Sequence, residues 1–504
     1  MKISVIDLGY NSLKLVNYDV RIDNNFSAYS QHSILARLGE GLDETGFLKD
    51  DAIVRTVKAL KLLQQTVKFE SVAQVLPVAT SAVREAGNKD QFLALVSGET
   101  GFDFKVLSDR EEALYSFAGS YTATNVPAGL FFDLGGGTLE MVIAEKSRVR
   151  RVFSTPLGGL RLTDQYASGN GRFSKKNYAK MSERILEILP DRNELPQLGN
   201  FGLIGAGGTV RAIARYHQMI MDYPLDKLHN YSIDMNSVEQ INRTLRKMSP
   251  KQIGNIPVIG EDRAKSIVAG SLVLQLMMRK LRIPNLIVST HGLRDGVLSA
   301  FLKDPTAYEK GSVDSILPRL TSDKPAALSP TSSRIIKAFA SRELLNQREQ
   351  FMLVRALEEA QRLPLYDPET LFYIIANRDS ILAHSDQLLL ALSLVRIRGL
   401  RGADWLYAKY KDMLEKDAKN TIKRISSMIT LIEVLEKTGS DLQVTLSAHQ
   451  IRLRINPGMQ DFPTALFKNT LKDFENAFKL KAQFSVTPAT SPRLAPEIQS
   501  VEKS

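Results

Sequence analysis

Leu130-Phe131-Phe132-Asp133-Leu134-Gly135-Gly136-Gly137-Thr138-Leu139-Glu140 decides the reading of this chain. The apolar, aromatic-rich opening reads as a buried strand ending at Asp133. The glycines that follow lack a Cβ, so the backbone can turn sharply and bring its N–H groups close to a bound anion. An aspartate at that turn would repel a bare phosphate, and the pair makes chemical sense with Mg²⁺ between them. The same letters equally spell a tight hairpin, because Met141-Val142-Ile143-Ala144 resumes as apolar.

Working outward, the strand–Asp–Leu–Gly pattern recurs. Val5-Ile6-Asp7-Leu8-Gly9 precedes Tyr10-Asn11-Ser12, and Leu13 to Tyr18 returns as a strand. The two copies stand at domain spacing, each followed by a short polar turn, a second strand and then αβ elements. Two related α/β lobes facing each other would bring both aspartates and both glycine turns to one cleft. A third strand-to-glycine transition, Phe201 to Thr209, opens a helix, and Leu286 to Gly292 is a fourth. The fold expected is α/β: two actin-like (ribonuclease-H-like) lobes over 1–124 and 125–303 around a phosphate-binding cleft.

Between these landmarks, a helix is expected from Asp51, whose side chain can cap it, to about Lys68, with Val57, Leu60, Leu63 and Val67 along one face. Ser108-Asp109-Arg110-Glu111-Glu112-Ala113 opens another, with acids in its first turn where the helix dipole stabilises them. Arg84 stands at the mouth of a turn and could hold a phosphate or pair with Glu85. A linker is expected over 304–331, where Ser, Pro, Asp and Lys collect. A helical domain should follow over 332–437 and a small α+β piece over 438–485, with hairpin strands near 442–446 and 451–455. The Pro-, Ser- and Thr-rich tail over 486–504 is expected to be disordered.

Composition narrows the chemistry. The chain has 504 residues, a net charge of +11 and no cysteine. Disulfides, thiolate metal sites and a Cys nucleophile are therefore excluded. The positive excess is shared between residues 1–300 and 301–504, which favours a basic groove for a polyanion over a nucleic-acid-binding arm. Six scattered histidines show no metal-ligand spacing. The chain enters an apolar strand at Ile3 without a charged-then-apolar leader. Its longest aliphatic stretch, Leu388 to Val395, is far short of the ~18 residues a membrane span needs. A cytoplasmic protein with no membrane or nucleic-acid partner is expected, with a homodimer allowed for.

These stretches together resemble the exopolyphosphatase / guanosine-pentaphosphate phosphatase family, within the actin-like ATPase, sugar-kinase and heat-shock-70 fold superfamily. The matching pieces are Asp7 to Ser12, Thr80 to Glu85, Glu111 to Ala113, Asp133 to Glu140, Gly205 to Thr209, Glu261 to Ala264 with Gly270, and Gly292 to Gly296. They cover residues 1 to about 303, and the helical region resembles the long members more weakly.

The resemblance implies that Glu112 is the catalytic base and that Asp133 and Glu140, with Asp7, hold Mg²⁺ (or Mn²⁺). It implies phosphate contacts at Gly9, Asn11, Ser12, Arg84, Gly135, Gly136, Gly137, Thr138, Gly207, Gly208, Thr209 and Arg294. Arg161, Lys175, Lys176, Arg211, Arg215 and Arg263 would form a basic track for a long polyanion. Tyr10 departs from the family's small residue and could narrow the cleft, and Leu139 replaces a common Thr. The helical region, degenerate and HD-like, has no His-Asp pair near Leu357-Glu358-Glu359-Ala360, so no metal site is expected there.

The chemistry agrees with that resemblance. Phosphoryl transfer asks for positioning and charge neutralisation, and hydrolysis adds a carboxylate poised over water. Release of orthophosphate from inorganic polyphosphate is the first reading, and cleavage of guanosine pentaphosphate is the second. A kinase or nucleotide-switched ATPase would need an adenosine pocket that the sequence does not display. Intact Glu112 and Asp133 argue against a non-catalytic polyphosphate-binding protein.

Overall fold

The computed structural model describes all residues except 23, 125, 146–147, 197–200, 313–327, 363–366, 379, 399, 438–440, 448–449, 457–462 and 487–504. The chain divides into two compact units, Met1–Asp323 with Asp379–Leu382, and Lys324–Arg378 with Ala383–Ser504.

The first unit is built from one supersecondary plan used twice. In lobe I the strands are β1 (Lys2–Leu8), β2 (Ser12–Val20), β3 (Phe26–Leu35), β4 (Gln74–Ala79) and β5 (Lys105–Val106). They lie in the order β3-β2-β1-β4-β5. The β1–β2 and β2–β3 pairs are antiparallel, whereas β4 joins β1, and β5 joins β4, in parallel. Lobe II has β6 (Ala128–Leu134), β7 (Leu139–Glu145), β8 (Arg148–Thr155), β9 (Gly202–Ala206), β10 (Ser232–Asp234) and β11 (Asn285–Val288). Read from β8, its order is β8-β7-β6-β9-β11-β10, the same plan with one strand added at the edge. The repeat seen at two Asp-Leu-Gly turns therefore extends through five strands, and both lobes have the ribonuclease-H-like topology of the actin-like fold.

The helices of lobe I are α1 (Leu42–Thr45), α2 (Asp50–Phe69), α3 (Ser81–Glu85), α4 (Lys89–Thr100) and α5 (Asp109–Ala123). In lobe II they are α6 (Gly159–Tyr166), α7 (Lys175–Ile188), α8 (Gly208–Ile220), α9 (Met235–Leu245), α10 (Pro250–Gly254), α11 (Glu261–Ala264), α12 (Ile267–Leu281) and α13 (Leu293–Lys303), followed by α14 (Pro305–Glu309). Helix α2 starts a residue earlier than expected. Its N-cap is Lys49, with no side-chain cap, and Asp51 instead pairs with Arg55 one turn on. Leu60, Leu63 and Val67 are its buried face, with Val57 packed beside them.

Between the two sheets lie α5 and α13, whose residues Ala113, Phe117, Leu293 and Val297 share a core with Val5 of β1 and Phe131 and Ile204 of lobe II. That shared core makes the lobes one unit. The helices touch through glycines: a Cβ on Gly296 would stand 1.8 Å from Tyr115 O, and one on Gly119 2.1 Å from Gly292 O. Only residues without a side chain allow this approach.

The segment expected as a linker is partly helical. Asp304 caps α14 by accepting from Ala307 N–H, Pro305 occupies its first turn, and Tyr308 is buried against the shared core. The rest of that segment, and nearly all of the expected tail, lie outside the described residues.

The second unit contains helices Pro330–Ala340, Gln347–Arg362, Pro368–Asn377, His384–Arg398, Leu400–Tyr410 and Ala418–Lys437. It also holds a sheet of β12 (Asp441–Leu446), β13 (Gln450–Asn456) and β14 (Lys481–Val486) with helix Thr464–Phe478. Phe339 meets Phe474 and Phe478 edge-on, joining the helical stretch to the α+β piece. Among the described residues no helix is long and apolar enough to cross a membrane.

Candidate active site

The Gly135–Gly137 stretch is the hairpin that the sequence allowed, and its tip lines the cleft, so the hairpin and phosphate-site readings are not alternatives. In β6–β7, Asp133 pairs with Glu140 and Leu134 with Leu139. Gly135 N–H closes the turn on Thr138 O at 3.0 Å. The β1–β2 hairpin repeats this: Asp7 pairs with Lys14, Leu8 with Leu13, and Gly9 N–H reaches Ser12 O at 3.1 Å. Gly9 and Gly135 are therefore spent on turn geometry, and their N–H groups are not donors to a ligand.

The donors are the next residues along. In lobe II the start of α6 takes the loop carbonyls: Gly158 N–H bonds Gly137 O, Gly159 N–H bonds Gly135 O, and Leu160 and Arg161 N–H both bond Gly136 O. In lobe I, Arg37 N–H takes Asn11 O and Gly39 N–H takes Tyr10 O. Both tips thus have their carbonyls tied back. The N–H groups of Tyr10, Asn11, Gly136 and Gly137 have no protein acceptor among the described residues, and all four residues line the cleft. Unmet donors at a cleft wall suit an anion.

One part of the cleft is acidic. Asp7, Glu112, Asp133 and Glu140 all line it. Glu112 is 7% exposed, one residue beyond Glu111, which closes a capping box with Ser108 at the start of α5. The two adjacent acids thus differ in role, since Glu111 caps the helix while Glu112 faces inward. Burial pushes the Glu112 carboxyl up to about 7, the Arg84 guanidinium pulls it down, and Asp7 and Asp133 push it further up. Glu140, 3% exposed, is raised well above the carboxylate range by burial and then by Glu112. Ser116 Oγ donates to Asp133 Oδ2 at 2.9 Å, and Ser154 Oγ to Glu140 Oε1 at 3.3 Å.

Other lining residues are cationic: Lys14, Arg211, Arg263 and Arg294. Burial pushes Lys14 down to about 7, opposed by Asp7 and reinforced by Arg294, Arg263 and Arg211. Arg211 is lowered to about 10 by burial and then by Arg294. Arg263 lies over Gly208, where a Cβ would meet its Nη2 at 2.1 Å. Gly207 has φ +100 and leaves room beside Asp133, whose Oδ1 a Cβ would meet at 2.7 Å.

Several expected residues take other places. Arg84 does not line the cleft; its Nη1 donates to Glu112 Oε2 at 2.8 Å and to Leu107 O at 2.9 Å, and its Nη2 stands 2.7 Å from Asp109 Oδ1. It is a partner of the candidate base rather than of phosphate or Glu85. Thr209 is buried, with its Cγ2 filling the space beside Gly270, and is a helix-packing residue. Asn11, Ser12, Gly136, Gly137, Thr138, Gly207 and Gly208 do line the cleft.

The basic track is divided. Arg211 and Arg263 line the cleft, whereas Arg161 is 3% exposed and bound to acids of lobe I. Lys175 and Lys176 are exposed at the start of α7, and Arg215 pairs with Asp226 on the surface. Asp7, Asp133 and Glu140 share the cleft, but among the described residues no three His, Asp or Glu side chains close into a group able to hold a metal ion unaided.

Residues 21–304, more than half of the chain, match the family model described as the Ppx/GppA phosphatase family. The chain belongs to that family. Among curated relatives, exopolyphosphatase 2 of Mycobacterium tuberculosis is 27% identical over 312 residues, covering 59% of this chain and 97% of that protein. A bifunctional 3-dehydroquinate synthase/phosphatase of Fusobacterium nucleatum is 28% identical over 311 residues, covering 59% of this chain and 46% of that protein. The chain thus spans less than half the length of that relative. Among solved structures, the Aquifex aeolicus Ppx/GppA family member superimposes with a TM-score of 0.50 at 26% identity, over 60% of this chain and 98% of that one. An exopolyphosphatase from Cytophaga hutchinsonii, at 24% identity, shares the fold with a TM-score of 0.56 over 60% of this chain and 98% of that one. The shared Ppx/GppA part is the two-lobed unit that holds the cleft.

Proposed function

We propose that this chain hydrolyses the terminal phosphoanhydride bond of inorganic polyphosphate and releases orthophosphate. The observation that carries the reading is the polarity of the cleft. Lys14, Arg211, Arg263 and Arg294 stand half-buried along one cleft, like charges whose crowding costs free energy until an anion joins them. A chain of phosphates supplies several anionic groups at once.

Glu112 suits the remaining task. A carboxyl held near neutrality by burial can take a proton from water while the water oxygen attacks the terminal phosphorus. The bond to the bridging oxygen breaks, and the shortened chain leaves with that oxygen's negative charge beside the cationic residues. The N–H groups of Tyr10, Asn11, Gly136 and Gly137 serve the non-bridging oxygens.

We also propose a divalent cation, Mg²⁺ or Mn²⁺, beside Asp133 and Glu140. The support is the gathering of Asp133, Glu140 and Asp7 in one cleft, with Glu140 raised by burial and then by repulsion from Glu112 and Asp133. Mg²⁺ is commonly held by one or two carboxylates together with substrate phosphates, so a protein group of three ligands is not required. When bound it would neutralise charge on the phosphoryl oxygens. We place the reaction in the cytoplasm.

The test is parallel phosphate release from long polyphosphate, guanosine pentaphosphate and ATP, with Mg²⁺ and with chelator. Polyphosphate should be cleaved best, and only with the metal. Preference for guanosine pentaphosphate would move the substrate assignment within the family, and preference for ATP would overturn it.

A further inference from the structure

Arg161 is nearly inaccessible, yet no step of the hydrolysis touches it. From α6 of lobe II it crosses to lobe I. Its Nη2 meets Glu85 Oε2 at 2.5 Å, its Nε stands 3.1 Å from Asp43 Oδ1, and its guanidinium carbon lies 5.1 Å from the Tyr10 ring centre. The Tyr10 ring packs against the other lobe's hairpin, where a Cβ on Gly137 would come within 2.6 Å of it. Arg161 N–H also bonds Gly136 O at 3.0 Å. One residue therefore ties the glycine tip of lobe II to three side chains of lobe I.

A guanidinium taken out of water must be matched by acids; exchanging the whole set of charges for apolar groups is often neutral for stability, whereas removing one partner alone is costly. Its use is more often to fix an arrangement, and what it fixes here is α3. Glu85, its acceptor, is next in sequence to Arg84, the donor to Glu112. Adjacent residues on a helical turn point about 100° apart. One short helix thus carries the receiver of the interlobe bond on one side and the support of the candidate base on another. The Arg84–Glu112 bond carries a shift of α3 to the candidate base, and Leu107 O and Asp109 fix the direction of the guanidinium that makes it.

We propose that Arg161 is a positioning residue for Glu112, acting through Glu85 and Arg84, so that apposition of the lobes and placement of the base are one event. The inference rests on the reading of Glu112 as the base. Gln165 donates to Asp43 Oδ2 at 2.9 Å, a second interlobe bond that reaches α3 only through the neighbouring Arg161 and not directly. It serves as the internal control.

The experiment is steady-state kinetics of the full chain on long polyphosphate. Arg161→Met and Glu85→Gln should each lower kcat roughly 10- to 100-fold, the scale of a misplaced catalytic group, while KM stays within about twofold. Arg161→Lys, which keeps a cation opposite Glu85 and Asp43, should lose less of kcat than Arg161→Met. Gln165→Ala should leave kcat within about twofold of wild type. In a Glu112→Gln background, Arg161→Met should cost almost nothing more, because residues acting through one group are not additive. Thermal melts report folding, and Glu85→Gln keeps the test alive if Arg161→Met does not fold. A raised KM at unchanged kcat, an equal loss in Gln165→Ala, or an additive loss in the Glu112→Gln background would each overturn the inference. Full turnover by Glu112→Gln alone would instead remove the base assignment beneath it.

Discussion

Lys14 stands opposite Asp7 in the first hairpin at the place that Glu140 holds opposite Asp133 in the second. The frame is duplicated, and this position carries opposite charge in its two copies. The same place in the repeat thus brings a carboxylate into the cleft from one hairpin and a cation from the other. An enzyme that cuts between two phosphates needs both.

Lys14→Met should separate stability from function. Burial lowers Lys14 to about 7, so between there and its ordinary 10.5 the unfolded chain holds a proton that the folded chain has released. Stability from this group accordingly rises with pH across that window, and its cost is greatest below pH 7. The Met variant should melt higher at pH 6.5 and lose that slope. Its KM for polyphosphate should rise roughly 10- to 100-fold, as expected for a lost charged hydrogen bond. Melting curves across pH and initial rates check the two halves independently.

Glu112 gives the opposite sign. With its carboxyl pushed up to about 7, the folded chain holds a proton that the unfolded chain has lost above pH 4.5. Stability from this group is present below that value and falls as pH rises through 7. Activity moves the other way, since a base works unprotonated. At saturating polyphosphate, where bound phosphate keeps Lys14 charged, kcat should climb with pH and reach half its plateau near 7. Glu112→Gln should lower kcat by ~10²-fold or more, flatten that limb and melt higher than wild type at pH 8.

Much of this site was legible because the chemistry lies in short motifs whose strand-to-turn context repeats. Asp7, Asp133 and Glu140 stand in those motifs, as do the glycines of both tips, whereas Glu112 is reached only through the family resemblance. Lys14 could not be named, because a lysine between Leu13 and Leu15 reads as a solvated strand position. Laying the two second strands side by side would have placed it against Glu140. Arg84 and Arg161 illustrate the converse: a positive charge near a phosphate motif suggests a ligand, and only tertiary structure puts Glu112 beside one and Glu85 beside the other. The long-range contacts of α5 with α13 left a trace in Gly119 and Gly296, but not of which helix met which.

Gly296→Ala tests that contact. A Cβ there would stand 1.8 Å from Tyr115 O and 2.6 Å from Tyr115 C, backbone atoms that cannot swing aside. The helices must separate, at a cost of about 1–3 kcal/mol or more. Because α5 also carries Glu112 and Ser116, kcat should fall with the denaturation midpoint. Gly98 in α4, where an added methyl would find nothing within 4 Å, supplies the contrast. There Ala should stabilise by roughly 0.5–1 kcal/mol through helix propensity alone and leave turnover unchanged.

Gly208→Ala meets a softer obstacle. Its Cβ would lie 2.1 Å from Arg263 Nη2 and 2.4 Å from Cζ, the far end of a flexible side chain. The fold should survive while the guanidinium swings out of the cleft, so the variant should imitate Arg263→Ala. Salt makes this measurable, because each lost phosphate contact lowers the slope of log affinity against log salt by about one. Gly208→Ala and Arg263→Ala should each raise KM for long polyphosphate and flatten its salt dependence by the same amount. Combining them should add nothing, since both remove one guanidinium from one place. Two independent increments would mean instead that Gly208 serves the substrate through its own backbone N–H and that Arg263 contributes separately.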